Sequence, residues 1–399
     1  MIAKGRHFDH CYICHRPLKK EEIPFSMCSE CYAANQRKLQ QLQCRDTTMA
    51  GMMVLVTGAR IKIGYQVGLS LLRKGATVLI TTRFPANAAE KYSKENDFAE
   101  WSDRLLIYGI DFRDIRKVEE MIAWMNAKLP YLNIIINNAA QTIARPEEYY
   151  RHLRDLEKHE NHRLSPVQGK LLRYYLEQKQ NCGNIERTFM PDKVDEDGFL
   201  EDLRTHNSWI SKAWDVSLRE FLEVQLVNVT APFLLCSRLV ELLKKAPVKE
   251  KFIVNVSAME GCFSKKNKNP FHPHTNMAKA ALNMLTRTVA EDYLRLGIYV
   301  NSVDTGWITD ENPYPIAKRN LESGFTPPLT VADGAARVCD PFLSYFYSGK
   351  KEFLKSGLFL KDYHGIKTFG GLHERFKKFK PCFIKVKRRS ISRRKKDRI

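Results

Sequence analysis

Apolar residues in this chain fall into short runs separated by longer stretches where they recur every three or four positions. The runs Met52–Val56, Thr77–Thr82, Leu105–Ile110, Ile134–Ile136 and Phe252–Val256 are rich in β-branched residues and too short to be buried helices. They predict strands, and each is followed by a polar residue: Thr57, Arg83, Asp111, Asn137 and Ser257. Between them, Ile63, Val67 and Leu71, then Ile115, Val118, Ile122, Met125 and Leu129, line single helical faces. Leu218–Leu243 predicts a long helix, Leu282, Leu285 and Val289 stripe another, and Thr330-Val-Ala-Asp opens a further one with a capping-type start. Strands alternating with helices predict an α/β chain with a doubly wound parallel sheet of about seven strands.

The polar residues at the strand ends carry the first chemical signal. Met52–Val56 runs into Thr57-Gly58-Ala59-Arg60-Ile61-Lys62-Ile63-Gly64 and then directly into a helix. A glycine turn between strand and helix lets backbone N–H groups and the helix N-terminus meet a pyrophosphate. The second strand ends at Arg83 with no acidic residue nearby. Arg83, with Arg60, therefore offers cations to a 2′-phosphate, and the plainer alternative is a solvated arginine at a loop start. The third strand ends in Asp111-Phe112 and the fourth in Asn137-Asn138-Ala139-Ala140.

This succession resembles the short-chain dehydrogenase/reductase superfamily, whose Thr-Gly-x-x-x-Gly-x-Gly turn is met except at the middle glycine, here Lys62. The resemblance implies a Rossmann-type domain over about 49–365, NADP as cofactor with NAD the lesser candidate, and a small-molecule carbonyl or alcohol substrate. It also implies a homo-dimer or tetramer. The cofactor would lie against Thr57, Gly58, Arg60, Lys62, Ile63, Gly64, Arg83, Asp111, Phe112, Asn138 and Ala139. Asn301-Ser302-Val303-Asp304-Thr305-Gly306 resembles the family's Asn-x-Val-x-Pro-Gly segment, which puts Thr305, Gly306 and Thr309 at the nicotinamide amide. Asn228 matches the asparagine that kinks its helix, Ser257 the substrate-binding serine, and Lys279 the lysine that holds the ribose.

The family's acid–base tyrosine is absent. Its position is Thr275, within His-Pro-His-Thr-Asn-Met-Ala-Lys, and no tyrosine lies between Ser257 and Lys279. An aliphatic hydroxyl titrates too high to exchange protons near neutrality. His274 or His272, which titrate in the right range, and Asp304 are the replacements on offer; for the histidines the alternative is a loop role beside Pro273. Two functions follow: an NADP-dependent oxidoreductase, or a catalytically retired NADP-binding scaffold or redox sensor with a nucleic-acid-containing partner. The paired cysteines, the Val-Ser-Ala-Met-Glu-Gly string and the Thr275 box together resemble a divergent subgroup of the family, to which no reaction is attached.

Cys11-x-x-Cys14 is followed after thirteen residues by Cys28-x-x-Cys31, a spacing that predicts a structural zinc knuckle within a 1–48 module and linker. Four reduced thiols in a small apolar knot are the alternative. The other six of the ten cysteines are scattered, which fits a reducing compartment better than a disulfide framework. No run of about 18 apolar residues is present and the N-terminus lacks a secretory core, so the sequence reads as intracellular, cytoplasmic or nuclear, without a membrane span. Ninety residues separate Asn138 from Asn228; the excess, about 142–212, is an insertion with two helical stretches (Tyr149, Leu153, Leu156; Leu171, Leu172, Tyr175). It reads as a peripheral decoration, a lid or a partner surface. Finally, 376–399 holds twelve Lys or Arg and one Asp, a net +11 of the chain's +20. The 366–399 tail is expected to be disordered, and either to contact nucleic acid or import machinery or simply to be solvated.

Overall fold

Strands buried on both faces explain why the runs are apolar throughout. The computed structural model describes residues 9–160, 164–174, 189–194, 200–265 and 268–366. The first half comprises α1 (Ser29–Gln43), β1 (Met53–Val56), α2 (Lys62–Arg73), β2 (Thr77–Thr82), α3 (Pro85–Ser93), β3 (Leu105–Gly109), α4 (Ile115–Lys128) and β4 (Ile134–Asn137). The insertion adds α5 (Arg151–Glu160), α6 (Pro166–Leu171), β5 (Leu172–Tyr174), β6 (Phe189–Val194) and β7 (Leu200–Asp202). Then follow α7 (Leu218–Gln225), α8 (Ala231–Arg238), α9 (Val240–Lys244), β8 (Lys251–Ser257), α10 (Pro273–Arg295) and β9 (Ile298–Asp304). The fold closes with α11 (Tyr314–Glu322), α12 (Val331–Ser348), β10 (Phe359–Lys361) and β11 (His364–Ile366).

Nine strands form one sheet in the order β11-β10-β9-β8-β4-β1-β2-β3-β5, parallel throughout except for the β10–β11 pair. Seven of them make up the doubly wound sheet of about seven strands expected; the two extra strands are three-residue edges, too short to leave a periodicity. Val54 and Val56 pack with α2 and α12 on one face, while Leu55 packs with α4 and α8 on the other. The order reverses between β1 and β4, opening a crevice at the strands' carboxyl ends.

Three expectations need correction. The helix read over Leu218–Leu243 is interrupted by a π-helical turn at Leu226–Thr230, which contains Asn228, so it becomes α7, α8 and α9. The polar linker read around Gln40–Asp46 is, through Gln43, the last turn of α1. Its buried face is largely polar, so no apolar stripe marks it: Asn35 donates to Asp333 at 2.6 Å and accepts from Arg337 at 3.0 Å, and Lys38 reaches Asp340 at 2.5 Å. In the insertion, the second helical stretch ends at Leu171, and Leu172 starts β5, which extends the sheet beside β3. Tyr175 and the tail from 367 lie outside the described residues. Among the described residues no helix is long and apolar enough to cross a membrane.

Candidate active site

The crevice is a cleft of about 960 Å³. Its floor is the glycine turn. Gly58 is left-handed (φ +66°), and a β-carbon there would lie 2.8 Å from Ala139 Cα. A β-carbon on Gly64 would stand 2.4 Å from the Gly58 carbonyl and 2.5 Å from Asn138 Nδ2. Asn138 donates from Nδ2 to the Thr57 and Gly58 carbonyls at 2.9 and 3.1 Å, and the Thr57 hydroxyl accepts from the Asn138 and Ala139 N–H groups. The turn is thus clamped to β4, and its glycines are required by that close approach of backbone to backbone. Lys62 is itself left-handed (φ +52°), a conformation that disfavours a side chain by roughly 1–2 kcal/mol. Its side chain is exposed at the cleft mouth.

At the adenosine end, Arg60 and Arg83 approach the Phe84 ring, with guanidinium carbons 5.4 and 5.5 Å from its centroid. Arg60 also donates to Asn87 Oδ1 at 2.7 Å. Arg83 lies 4.3 Å from the ring centroid of Tyr150, which the insertion contributes. The insertion also sends buried Glu157 to the start of α3, where its carboxylate accepts from the Ala86 and Asn87 N–H groups at 2.9 Å each. No sequence neighbour of Arg83 announces this carboxylate. Asp111 is bound to Arg113 by three side-chain contacts of 2.7–3.1 Å; burial raises its carboxyl, but Arg113 and Arg83 outweigh that and hold it below the usual range.

At the other end, Lys279 is 7% exposed and donates from Nζ to the Val256 carbonyl at 2.9 Å. Burial lowers its ammonium to about 8, against the opposing pull of Glu260 and Asp304. Ser257 donates its hydroxyl to the Lys279 carbonyl at 3.1 Å, which leaves only its lone pairs for another partner. Asp304 ends β9 directly opposite Ser257 in the strand register and is 6% exposed. Burial pushes its carboxyl up, against Lys361 at 3.7 Å and the Gly306 N–H at 3.0 Å. Among the described residues the Thr275 hydroxyl reaches only the Thr142 carbonyl, at 3.5 Å.

His274 is not on the cleft. Its ring is 1% exposed and neither nitrogen has a hydrogen-bond partner among the described residues. The nearest carboxylate, Glu220 on α7, is 3.8 Å from Nε2, and burial lowers the imidazole below its ordinary value. In the first turn of α10 a one-residue rotation along the helix separates the wall facing the cleft, at Thr275, from the face packed on α7. His272 stacks on Trp209 at 4.0 Å and bonds its carbonyl at 2.7 Å, anchoring the insertion's end. Asn228 lies behind the cleft, where its side chain accepts from the Gln141 N–H at 2.7 Å and donates to the Gln141 carbonyl at 2.9 Å.

The four cysteines of the knuckle converge, with all Sγ atoms within 4.8 Å of one another and Cys14 Sγ 3.7 Å from Cys28 Sγ. Buried Glu22 ties the two pairs together, bonding Arg16 beside the first and Ser29 beside the second at 2.6 Å each.

A model of the short chain dehydrogenase family matches residues 52–157, and one described as enoyl-(acyl carrier protein) reductase matches 203–323. An uncharacterized protein of Acanthamoeba polyphaga mimivirus is 32% identical over 372 residues, covering 89% of this chain and 74% of its own. The chain belongs to the short-chain dehydrogenase/reductase family. It is an oxidoreductase of that family. A (−)-isopiperitenone reductase of Mentha piperita is 33% identical over 88 residues, 21% of this chain and 27% of that reductase. The fold matches that of an NADPH-bound carbonyl reductase from chicken fatty liver, with TM-score 0.50 and 20% identity over 80% of this chain and 100% of that one.

Within this short-chain dehydrogenase/reductase cleft lie Gly58, Arg60, Lys62, Ile63, Gly64, Arg83, Asp111, Phe112, Asn138 and Ala139 from the first half. Ser257, Thr275, Lys279, Thr305, Gly306 and Thr309 join them from the second. Thr57, Asn228 and His274 stand outside its lining. Sequence reasoning missed Tyr12, Arg145, Tyr149, Tyr150, Trp209 and Glu260, which all line it. They come from the knuckle, the insertion and the loop after β8, where no strand-end pattern points to them.

Proposed function

We propose that the protein is an NADP-dependent oxidoreductase for a carbonyl/alcohol pair, with Asp304 as the proton donor in place of the absent phenol. The observation that carries this reading is a carboxyl, buried and pushed toward its protonated form, at the cleft end that also holds Lys279. When bound, the nicotinamide supplies or takes up the hydride. Lys279 holds the ribose with its ammonium, and Ser257 braces the strand end on α10. In reduction, Asp304 gives its proton to the carbonyl oxygen and is left as a carboxylate beside Lys361; in oxidation it takes that proton back. Arg60 and Arg83 favour the 2′-phosphate, because the charge of Glu157 is already met by two N–H groups of α3.

The test is NADPH consumption on a panel of ketones and aldehydes. Asp304→Asn is expected to cut turnover by roughly 10²–10⁴ while NADPH still binds. The commitment of the Ser257 hydroxyl to the Lys279 carbonyl favours a second reading, a retired dinucleotide-binding scaffold. NADPH binding without turnover on the whole panel would select it.

For the knuckle we propose a structural Zn²⁺ held by Cys11, Cys14, Cys28 and Cys31. Four thiolates about 2.3 Å from one ion stand about 3.8 Å apart, and the Cys14–Cys28 separation of 3.7 Å fits that. Purified protein is expected to carry about one equivalent of zinc. The basic tail is proposed to contact nucleic acid; its removal should flatten the salt dependence of any such binding.

A further inference from the structure

The knuckle is not an appendage. Tyr12 sits between its first two cysteines, and the Tyr12 hydroxyl accepts from the Trp307 N–H at 2.8 Å. Its side chain lines the dinucleotide cleft, with the Lys361 ammonium 5.7 Å from the ring centroid. The loop it meets is the one that follows β9. Gly306 there is left-handed (φ +81°), and a β-carbon on it would lie 2.3 Å from Leu329 Cδ1 and 3.3 Å from the Tyr12 hydroxyl. Leu329 is itself buried in one cluster with Cys11, Met27 and Cys28, and Ile308 packs against the same cluster. Ile308 of the cleft wall and Leu329 behind it therefore rest on the cysteine knot, and one side chain of the knot, Tyr12, rests in the cleft.

Besides the Glu22 network, the knuckle is held by a small core. Its buried apolar cluster comprises Cys11, Met27, Cys28 and, from the main domain, Leu329. So small a core does not fold without a staple. Helix α1, by contrast, is fixed to α12 by Asn35 and Lys38 independently of any thiol. Loss of the metal thus frees the segment around Tyr12 while α1 stays docked, and the Trp307 N–H loses its acceptor.

We propose that metal loading of the cysteine knuckle sets the affinity of the cleft for the dinucleotide, through the contact of Tyr12 with the 305–309 loop. The proposal rests on the dinucleotide and zinc readings above, but not on turnover. Linkage makes the effect reciprocal: whatever factor zinc adds to dinucleotide affinity, the dinucleotide adds to zinc affinity.

The experiment uses the full chain, zinc-loaded or stripped with a chelator, and NADPH as the probe. Stripping is expected to weaken NADPH binding by about 5–150-fold, the usual range of coupling between sites. Saturating NADPH is expected to slow zinc loss to the chelator and raise zinc affinity by the same factor. Because stripping can also act by unfolding, Tyr12→Phe provides the second arm. It keeps every thiol and the ring but removes the acceptor of the Trp307 N–H. Zinc content is expected to stay at one equivalent while the Trp307 amide exchanges faster and NADPH binds more weakly. Equal NADPH affinity in loaded and stripped protein overturns the proposal alone. So does a Tyr12→Phe protein with parental Trp307 exchange and parental affinity. NADPH binding without turnover overturns the catalytic reading and leaves this one standing; a loaded protein that binds no NADPH overturns both.

Discussion

Ser257 donates its hydroxyl to the Lys279 carbonyl at 3.1 Å, and Lys279 answers by donating its ammonium to the Val256 carbonyl at 2.9 Å. The two bonds clasp the end of β8 to α10. Ser257→Ala is therefore expected to cost about 0.5–1.5 kcal/mol of stability, the usual net value of one hydrogen bond, and to leave KM near the parental value. Urea unfolding and steady-state kinetics check both. A large rise in KM with unchanged stability would show that the hydroxyl serves the substrate instead.

Lys279 sets a pH dependence. Its folded value of about 8 lies below the ordinary lysine value, so above it the unfolded chain holds a proton that the folded chain has released. Stability is expected to rise with pH from about 8 up to the ordinary lysine range. Lys279→Met should flatten that slope. Over the same window NADPH affinity should fall, because the ammonium that holds the ribose is lost. Urea titrations and NADPH binding across this range measure the two opposite trends.

The two arginines around Phe84 should confer a preference for NADPH over NADH. Losing Arg83 is expected to remove about 1.5–3 kcal/mol of that preference, as for a hydrogen bond to a charged group. Comparing NADPH and NADH dissociation constants for the parent and Arg83→Ala decides it; equal affinities in the parent contradict the assignment.

The glycine turn predicts opposite outcomes at two neighbouring positions. Gly64→Ala drives a β-carbon to 2.4 Å from the Gly58 carbonyl and should abolish NADPH binding. Lys62→Gly relieves a left-handed side chain and should stabilise the fold by roughly 1 kcal/mol. Thermal unfolding and NADPH titration of both variants read these effects.

His274→Gln should leave turnover close to that of the parent, since the imidazole faces Glu220 and not the cleft. A loss as large as that expected for Asp304→Asn would return the proton-donor role to the histidine.

The sequence by itself determined the central strands and the glycine turn, because each depends on local pattern. Apolar runs mark β1 to β4, and Gly58, Gly64 and Asn138 are residue types that their backbone positions require. It also determined that Thr275 stands where the family has a phenol. Tertiary structure decided what surrounds that gap. His274 and Thr275 are adjacent in sequence, but the helix turns them to different walls. Asp304 has its carboxyl pushed up by burial, which is not visible in its sequence neighbours. Tyr12 and Tyr150 reach the cleft from segments far from any strand end, and Glu157 caps α3 from 71 residues away. Such contacts carry no periodicity, since they depend on how separate segments pack and not on how one segment repeats.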